Sequence, residues 1–145
     1  MRARGGAALK ALPTDRLVCT QSFKPFADAL RAMGLTLAEV SAQKFPLVLL
    51  LPPRQREESR ALLARALQRV EPGGTVVASA LNNEGARSAE GDLERLAGPV
   101  HSLSKNKCRV FWATATAQMM DANLIAEWAA LDAPRRIADG RFLSR

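Results

Sequence analysis

Six basic side chains lie where a predicted strand ends, a helix begins or a hairpin turns, and their chemistry suits phosphate contact. Arginine can bind phosphate oxygens through two parallel N–H groups, and lysine binds them as a point charge. The 145-residue chain has a formal net charge of +7, which favours a polyanionic partner, most often nucleic acid. The candidate contacts are Arg54, Arg56, Arg87, Lys105, Lys107 and Arg109.

These basic residues also have plainer interpretations. A net charge of +7 keeps a small protein soluble. Lys105 and Lys107 would share one strand face if the hairpin continues through them, and lysines on an edge strand also guard against aggregation. Arg54 and Arg56 could be the solvated start of a helix, although positive charge there opposes the helix dipole. The sequence leaves these interpretations open.

Motifs of common cofactor and metal sites are missing from the sequence. A nucleotide or S-adenosylmethionine site needs a glycine-rich turn after the first strand, because only glycine lets backbone N–H groups approach the ligand closely. The first predicted strand, residues 17–20, is followed by residues 21–25, which contain no glycine. Cys19, Cys108 and the single His101 are too few for a structural zinc site. The sequence therefore predicts no cofactor site and no metal site.

Strand-like runs alternate with amphipathic helical segments along most of the chain. The predicted strands cover residues 17–20, 45–51 and 75–80, and the predicted helices cover residues 22–33, 55–70 and 88–97. Such alternation favours an α/β fold with a mostly parallel sheet and helices on both faces. Residues 100–104 and 107–113 predict an antiparallel hairpin near the sheet edge, followed by a last helix that opens at Asp121.

Local signals refine these elements. The uninterrupted apolar run at residues 45–51 is typical of a strand that is covered on both faces. Ser88 is expected to cap the third helix, with Asp92 in its first turn. Arg60 is expected to point to water, and Trp112 to lie in the core rather than to form a base-stacking platform.

A short motif, Leu51-Pro52-Pro53-Arg54, ends the second predicted strand. It resembles the Asn/Asp-Pro-Pro-aromatic motif of amino-methylating class I methyltransferases. In that motif the polar side chain and a proline carbonyl accept hydrogen bonds from the target amine, and the aromatic ring stacks on the base. Leu51 stands at the polar position and cannot accept such a bond. The motif has kept its backbone shape and lost its chemistry, although a plain proline stop after a buried strand would look the same.

Further segments resemble one family, the RsmC-like two-domain ribosomal RNA (guanine-N2-)-methyltransferases of the small subunit. The resemblance covers residues 18–144 and is most specific at residues 83–90 (NEGARSAE), with a second match at residues 104–111 (SKNKCRVF). In that family two methyltransferase-like domains arose by duplication. The C-terminal domain binds S-adenosylmethionine, and the degenerate N-terminal domain assists folding, stability or RNA recognition. This chain resembles the degenerate half.

The resemblance implies a Rossmann-like, class I methyltransferase-type fold that is incomplete at the N-terminus. It implies a degenerate methyltransferase-like domain over residues 16–116, and a helix and tail over 117–145 that lead to a missing catalytic domain. The small, basic and aperiodic residues 1–15 predict a flexible N-terminal segment. The resemblance also implies that this chain has no catalytic residues and binds no cofactor, S-adenosylmethionine being held by that catalytic domain. The implied partners are ribosomal RNA and the catalytic domain, in the cytoplasm. We expect no membrane partner, because the longest apolar run, residues 45–53, is far shorter than the ~20 residues of a membrane helix.

Two alternatives stay open at this stage. The chain could be a small stand-alone class I methyltransferase with a divergent cofactor loop. That reading needs an acidic residue for the cofactor ribose, for which Glu39 is the nearby candidate, and a replacement for Leu51. The chain could also be a basic RNA-binding module with no methyltransferase partner.

Overall fold

A computed structural model of the chain describes residues 1–6, 9, 11–38, 43–131, 135–137 and 142–144. The helices in these ranges are α1 (Lys24–Ala32), α2 (Arg56–Arg69), α3 (Ala86–Ala97) and α4 (Ala122–Ala129). The strands are β1 (Val18–Cys19), β2 (Thr36–Leu37), β3 (Phe45–Leu50), β4 (Val70–Leu81), β5 (His101–Lys105), β6 (Cys108–Thr114), β7 (Arg135–Ile137) and β8 (Phe142–Ser144). This order confirms the predicted alternation of strands and helices followed by a hairpin.

The main sheet contains β3, β4, β6 and β5, in that order across the sheet. β3 and β4 are parallel, whereas β6 runs antiparallel to both β4 and β5. β1 and β2 form a separate parallel pair, and β7 and β8 an antiparallel one. The predicted hairpin at the sheet edge is confirmed. Because a hairpin returns the chain antiparallel, it makes the main sheet mixed, where the sequence predicted a mostly parallel one.

The first three residues connect the β1–β2 pair to the main sheet. The amino group of Met1 donates to the carbonyl oxygen of Leu49, and the N–H of Leu51 donates to the carbonyl oxygen of Met1. On the other side, the N–H of Ala3 donates to the carbonyl oxygen of Thr20 (3.2 Å). Bonds to two alternate residues of a neighbouring strand are the parallel pattern. The segment thus lies between β3 and β1 and runs parallel to β3.

Helices cover the two faces of the sheet unequally. α2, α3 and α4 pack on one face of the main sheet, where Val76 and Phe111 are fully buried. α1 belongs to a smaller core near β1 and β2, formed by Cys19, Leu30 and Leu35. The β1–α1–β2 and β3–α2–β4 connections lead in opposite directions across the sheet. Right-handed connections then place α1 and α2 on opposite faces.

The face of the main sheet opposite α2 carries apolar side chains that face solvent. Leu47, Leu49 and Leu51 are 50%, 42% and 40% exposed, while Val48 and Leu50 between them are buried. The expectation that this strand is covered on both faces is therefore wrong. A continuous apolar run does not reveal that helices pack on one side only. We call this surface the open sheet face, and it consists of Leu47, Leu49, Leu51, Thr75, Val77, Ser79, Leu81, Cys108, Val110, Trp112, Thr114, His101, Leu103 and Lys105.

The hairpin turn consists of Asn106 and Lys107. Both have positive φ angles, 51° and 63°, as two-residue turns between twisted antiparallel strands require. Asparagine tolerates this left-handed conformation better than most residues. The turn lies one residue later than predicted, so Lys107 belongs to the turn and does not share a strand face with Lys105.

The two cysteines have different environments, which predicts different reactivity. Both thiols are free. Cys19 is buried and Cys108 is half-buried. Burial raises the pKa of the Cys19 thiol, so less of the reactive thiolate forms near neutral pH. We expect N-ethylmaleimide at pH 7.5 to alkylate Cys108 at least about tenfold faster than Cys19, as measured by peptide mass spectrometry. Equal rates in the folded chain would contradict this packing, and equal rates in urea are the control.

Candidate nucleic-acid interface

Five of the six predicted basic residues lie along one edge of the main sheet. β3 and β4 are parallel and therefore end at the same edge, which we call the carboxyl edge. The β5–β6 turn reaches this edge too, because Leu81 pairs with Cys108 and the N–H of Asn82 donates to the carbonyl oxygen of Lys107 (2.8 Å). The residues that follow or flank the strand ends here are Arg54, Arg56, Arg87, Lys105 and Lys107.

The Leu51-Pro52-Pro53-Arg54 motif forms the exit from β3 to α2. Leu51 is exposed and the two prolines are half-buried. Gln55 caps α2, because its Oε1 accepts a hydrogen bond from the N–H of Glu58 (2.6 Å). Arg54 is exposed and makes no ion pair or hydrogen bond with the described residues. An apolar side chain thus occupies the strand end, where the resembled motif has a hydrogen-bond acceptor.

Arg56 lies in the first turn of α2 and is largely exposed. Its Nε is 3.5 Å from Oδ2 of Asp92, a carboxylate that is 3% exposed. This distance corresponds to an ion pair without a hydrogen bond. Arg56 therefore keeps accessible N–H donors, but part of its charge is balanced within the protein.

Arg87 lies in the first turn of α3, and its side chain is exposed. Gly85 is the residue before this helix, with a φ of 87° that glycine adopts without strain. The expectation that Ser88 caps the helix is wrong, because the helix begins at Ala86 and Ser88 lies inside it.

Lys105 directly precedes the hairpin turn and Lys107 lies in it, and both side chains extend into solvent. Lys105 ends β5 and pairs in register with Cys108, on the open sheet face. Lys107 is the second turn residue. Both side chains are exposed, and neither makes an ion pair with any described residue. They supply two free cations at the carboxyl edge.

Arg109 differs from the other predicted contacts. It lies on the helix side of β6, where its Nη1 is 2.5 Å from Oε2 of Glu90 and 3.4 Å from Oγ of Ser102. Its position next to Phe111 in the β6 alternation places it on that side. Its charge is balanced by Glu90, so Arg109 is less available to a phosphate than the predicted interface requires.

Sequence reasoning missed a buried ion pair behind the carboxyl edge. Arg60 binds Asp92 with both Nε (3.1 Å) and Nη2 (3.2 Å) and lies over Trp128, with its guanidinium carbon 4.5 Å from the ring centroid. Arg95 contacts the same ring at 5.0 Å. The expectation that Arg60 points to water is wrong, because Asp92 lies in the second turn of α3 and faces α2.

The turn that lies next to β3 at the carboxyl edge is not the glycine-free turn of residues 21–25 that the sequence analysis considered. The first three residues, rather than β1, lie beside β3, and exposed Gly5 and Gly6 follow them. The glycine-free turn follows β1, one place further out. There Gln21 donates from Nε2 to the carbonyl oxygen of Ala3 (2.7 Å) and accepts from the N–H of Phe23 (3.0 Å). Glu39 lies outside the described residues.

Two other kinds of site find no matching residues in the described ranges. No three His, Cys, Asp or Glu side chains come close enough to hold a metal ion there. Nor does any described helix combine the length and the hydropathy needed to cross a lipid bilayer.

Comparison with solved structures identifies the class of fold. The T. thermophilus 16S rRNA N2 methyltransferase RsmC, solved with AdoMet and guanosine, aligns over 72% of this chain at 20% identity and a TM-score of 0.64. A methyltransferase from Pyrococcus furiosus aligns over 75% of this chain and 70% of its own, at 14% identity and a TM-score of 0.56. The N-methyltransferase NodS of Bradyrhizobium japonicum, bound to S-adenosyl-l-homocysteine, gives 12% identity, 70% and 67% coverage, and a TM-score of 0.54. The fold is that of the class I methyltransferases.

Residues 6–130 match the family described as "Methyltransferase small domain N-terminal". The chain belongs to this family, which confirms the resemblance to the N-terminal half of the RsmC-like enzymes. A comparison of the sequence with curated proteins finds no match. The chain spans 30% of the length of the T. thermophilus enzyme.

Proposed function

We propose that the chain is the non-catalytic, cytoplasmic companion domain of a ribosomal RNA (guanine-N2) methyltransferase. In this role it supports a catalytic domain, which holds S-adenosylmethionine, and it contributes contacts to ribosomal RNA through the carboxyl edge. The observation that carries the proposal is the composition of that edge. Leu51 stands where a methyltransferase of this kind needs an acceptor for the target amine, and exposed cations lie along the same edge of the sheet.

The charge at the carboxyl edge suits an RNA backbone. Arg54, Arg87, Lys105 and Lys107 are exposed and unpaired within the described residues, so binding phosphate would break no internal ion pair. Glu57 and Glu84 are the exposed carboxylates on the same connections, and the four cations outnumber them. Phosphate contacts of this kind position a protein on RNA without reading its sequence.

The RNA half of the proposal is tested by removing the four free cations together. We expect the variant with Arg54, Arg87, Lys105 and Lys107 replaced by alanine to bind a 20-nucleotide single-stranded RNA at least about 30-fold more weakly at 50 mM salt. The slope of log K against log salt should become shallower by about 3, since each lost contact removes about 0.7. Fluorescence anisotropy of a labelled RNA measures both quantities.

A matched control removes the same charge elsewhere. Replacing Arg16, Arg31, Lys44 and Arg69 by alanine also lowers the formal net charge of +7 by four, but these residues precede a strand or end a helix, away from the carboxyl edge. We expect this variant to keep most of the affinity. Equal losses in the two variants would mean that net charge, and not the carboxyl edge, binds RNA.

A stand-alone methyltransferase is the second candidate, and the Gly5-Gly6 turn beside β3 is the observation that favours it. Calorimetric titration of the folded chain with S-adenosylmethionine separates the two. We expect no heat at millimolar ligand, with folding verified by circular dichroism. Micromolar binding at unit stoichiometry would overturn the non-catalytic proposal and leave Leu51 to be explained.

A further inference from the structure

The open sheet face is a continuous apolar surface and not a set of scattered exposed leucines. Its residues form rows across the strands, because Leu49 pairs with Val77, Val77 with Trp112, and Trp112 with His101. The next row contains Val110 and Leu103, and Leu103 is 65% exposed. Contiguous apolar surface of this kind on a soluble domain marks an interaction site.

In an open α/β sheet, a layer of helices would cover this face. The connections of this chain provide half of that layer. A right-handed β1–α1–β2 connection places α1 on this side of the sheet, against the β1–β2 pair, whereas α2, α3 and α4 belong to the core on the other side. Open α/β sheets bury both faces under helices. The uncovered half spans four strands, or about 14 Å between the outer strands at the usual spacing. Two helices side by side, about 10 Å apart, cover such a width.

The charge on the open sheet face restricts which kind of molecule could bind there. Lys105 is its one charged residue, and the set contains no carboxylate. A second copy of the chain would bring another +7 and another Lys105 to this surface. RNA would meet leucine and valine side chains that offer no hydrogen bonds. An acidic flank on the occupant, in contrast, would face Lys105.

We propose that the open sheet face docks a pair of amphipathic helices, apolar on one side and acidic along the flank, from a protein domain outside this chain. This inference rests on the supporting half of the proposed function and names its surface. It does not depend on RNA binding at the carboxyl edge. Lys105 lies at the corner where the two surfaces meet.

Trp112 provides the readout for a test, because it lies on the open sheet face while the other tryptophan, Trp128, is buried in the core. The probe is a synthetic helical hairpin with one leucine stripe per helix and glutamates along the flanks. We expect it to shift the emission of Trp112 to shorter wavelength and to bind with a Kd below about 100 μM. The shift should be absent in Trp112→Phe, and a hairpin with lysines in place of the glutamates should bind at least about tenfold more weakly.

Variants of the face keep the proposal falsifiable. Leu49→Asp and Leu103→Asp change exposed side chains, and each should weaken binding of the acidic hairpin at least about tenfold while circular dichroism stays unchanged. Met119→Asp is the matched control, because Met119 is 56% exposed on the opposite side of the sheet. Retained binding in both leucine variants would overturn the proposal.

Three further outcomes would also overturn the docking proposal but would leave the proposal of RNA contacts at the carboxyl edge unaffected. One is failure of the acidic hairpin to bind the folded wild-type chain. Another is a concentration-dependent dimer, seen by sedimentation and lost in Leu49→Asp, which would make a second copy the occupant. The third is a shift of Trp112 emission by oligouridylate, which would assign the face to nucleobases. Docking of the hairpin with no RNA binding would instead overturn the RNA half alone.

Discussion

Replacing Phe111 by alanine is expected to lower the free energy of unfolding by about 3–5 kcal/mol. Phe111 is the largest fully buried side chain, and it lies on β6 beneath α3. Its removal loses the transfer free energy of the ring and leaves a cavity that the surrounding helices fill only in part. A domain of this size has about 5–15 kcal/mol of stability, so urea denaturation should move to a much lower midpoint.

Leu103→Ala is the control for this prediction. Leu103 lies on β5, next to β6, but on the open sheet face, and is largely exposed. We expect its replacement to change the free energy of unfolding by no more than about 0.5 kcal/mol. Comparable losses in the two variants would mean that both faces of the sheet are buried in the folded chain, which would contradict the open sheet face.

Asp92→Asn is expected to lower the free energy of unfolding by about 2–3 kcal/mol. The carboxylate of Asp92 is almost fully buried and receives two hydrogen bonds from Arg60. Loss of one partner in a buried pair costs about 3–5 kcal/mol, because the other charge stays behind without compensation. The lower figure applies here because the Arg60 side chain keeps some contact with solvent. Thermal unfolding followed by circular dichroism measures the effect.

Asp28→Asn separates burial from charge pairing as such. Asp28 also binds two cations, Lys24 at 2.6 Å and Arg31 at 2.8 Å, but on the exposed surface of α1. The hydrogen bond from Lys24 is the main cause that lowers the pKa of this carboxyl. Exposed pairs contribute little, so the unfolding midpoint should hardly move. An equal fall of the unfolding midpoint in Asp28→Asn and Asp92→Asn would show that burial does not determine how much the ion pair of Asp92 stabilises the fold.

The elements of the fold could be predicted because each depends on local signals. Gln55 caps α2, Asp121 caps α4, and the apolar periodicity of α2 places Leu63 and Leu67 in the core, where both are buried. Where one local signal gave the wrong result, another local signal decided. Ser88 is a good cap residue, but the left-handed Gly85 starts the helix three residues earlier.

The structure places most of the predicted basic residues at one edge of the sheet, but their ion pairs were not predicted. Arg54, Arg87, Lys105 and Lys107 lie along one edge, because β3 and β4 are parallel and the β5–β6 turn lies next to the end of β4. Arg109 is neutralised by Glu90, a contact between β6 and α3 that no spacing in the sequence encodes. The exposure of Leu47 and Leu49 could not be predicted either, because an apolar run has the same sequence pattern whether one face of the strand or both faces are covered.

The narrow junction made by the first three residues divides the molecule into two cooperative units of unequal size. The larger core holds α2, α3 and α4 on the main sheet, and the smaller one holds α1 with β1 and β2. A few backbone hydrogen bonds from Met1 and Ala3 join the two sheets. We therefore expect the smaller unit to open while the larger stays closed, so that its amides exchange with solvent at a lower free energy than those around Val76 and Phe111.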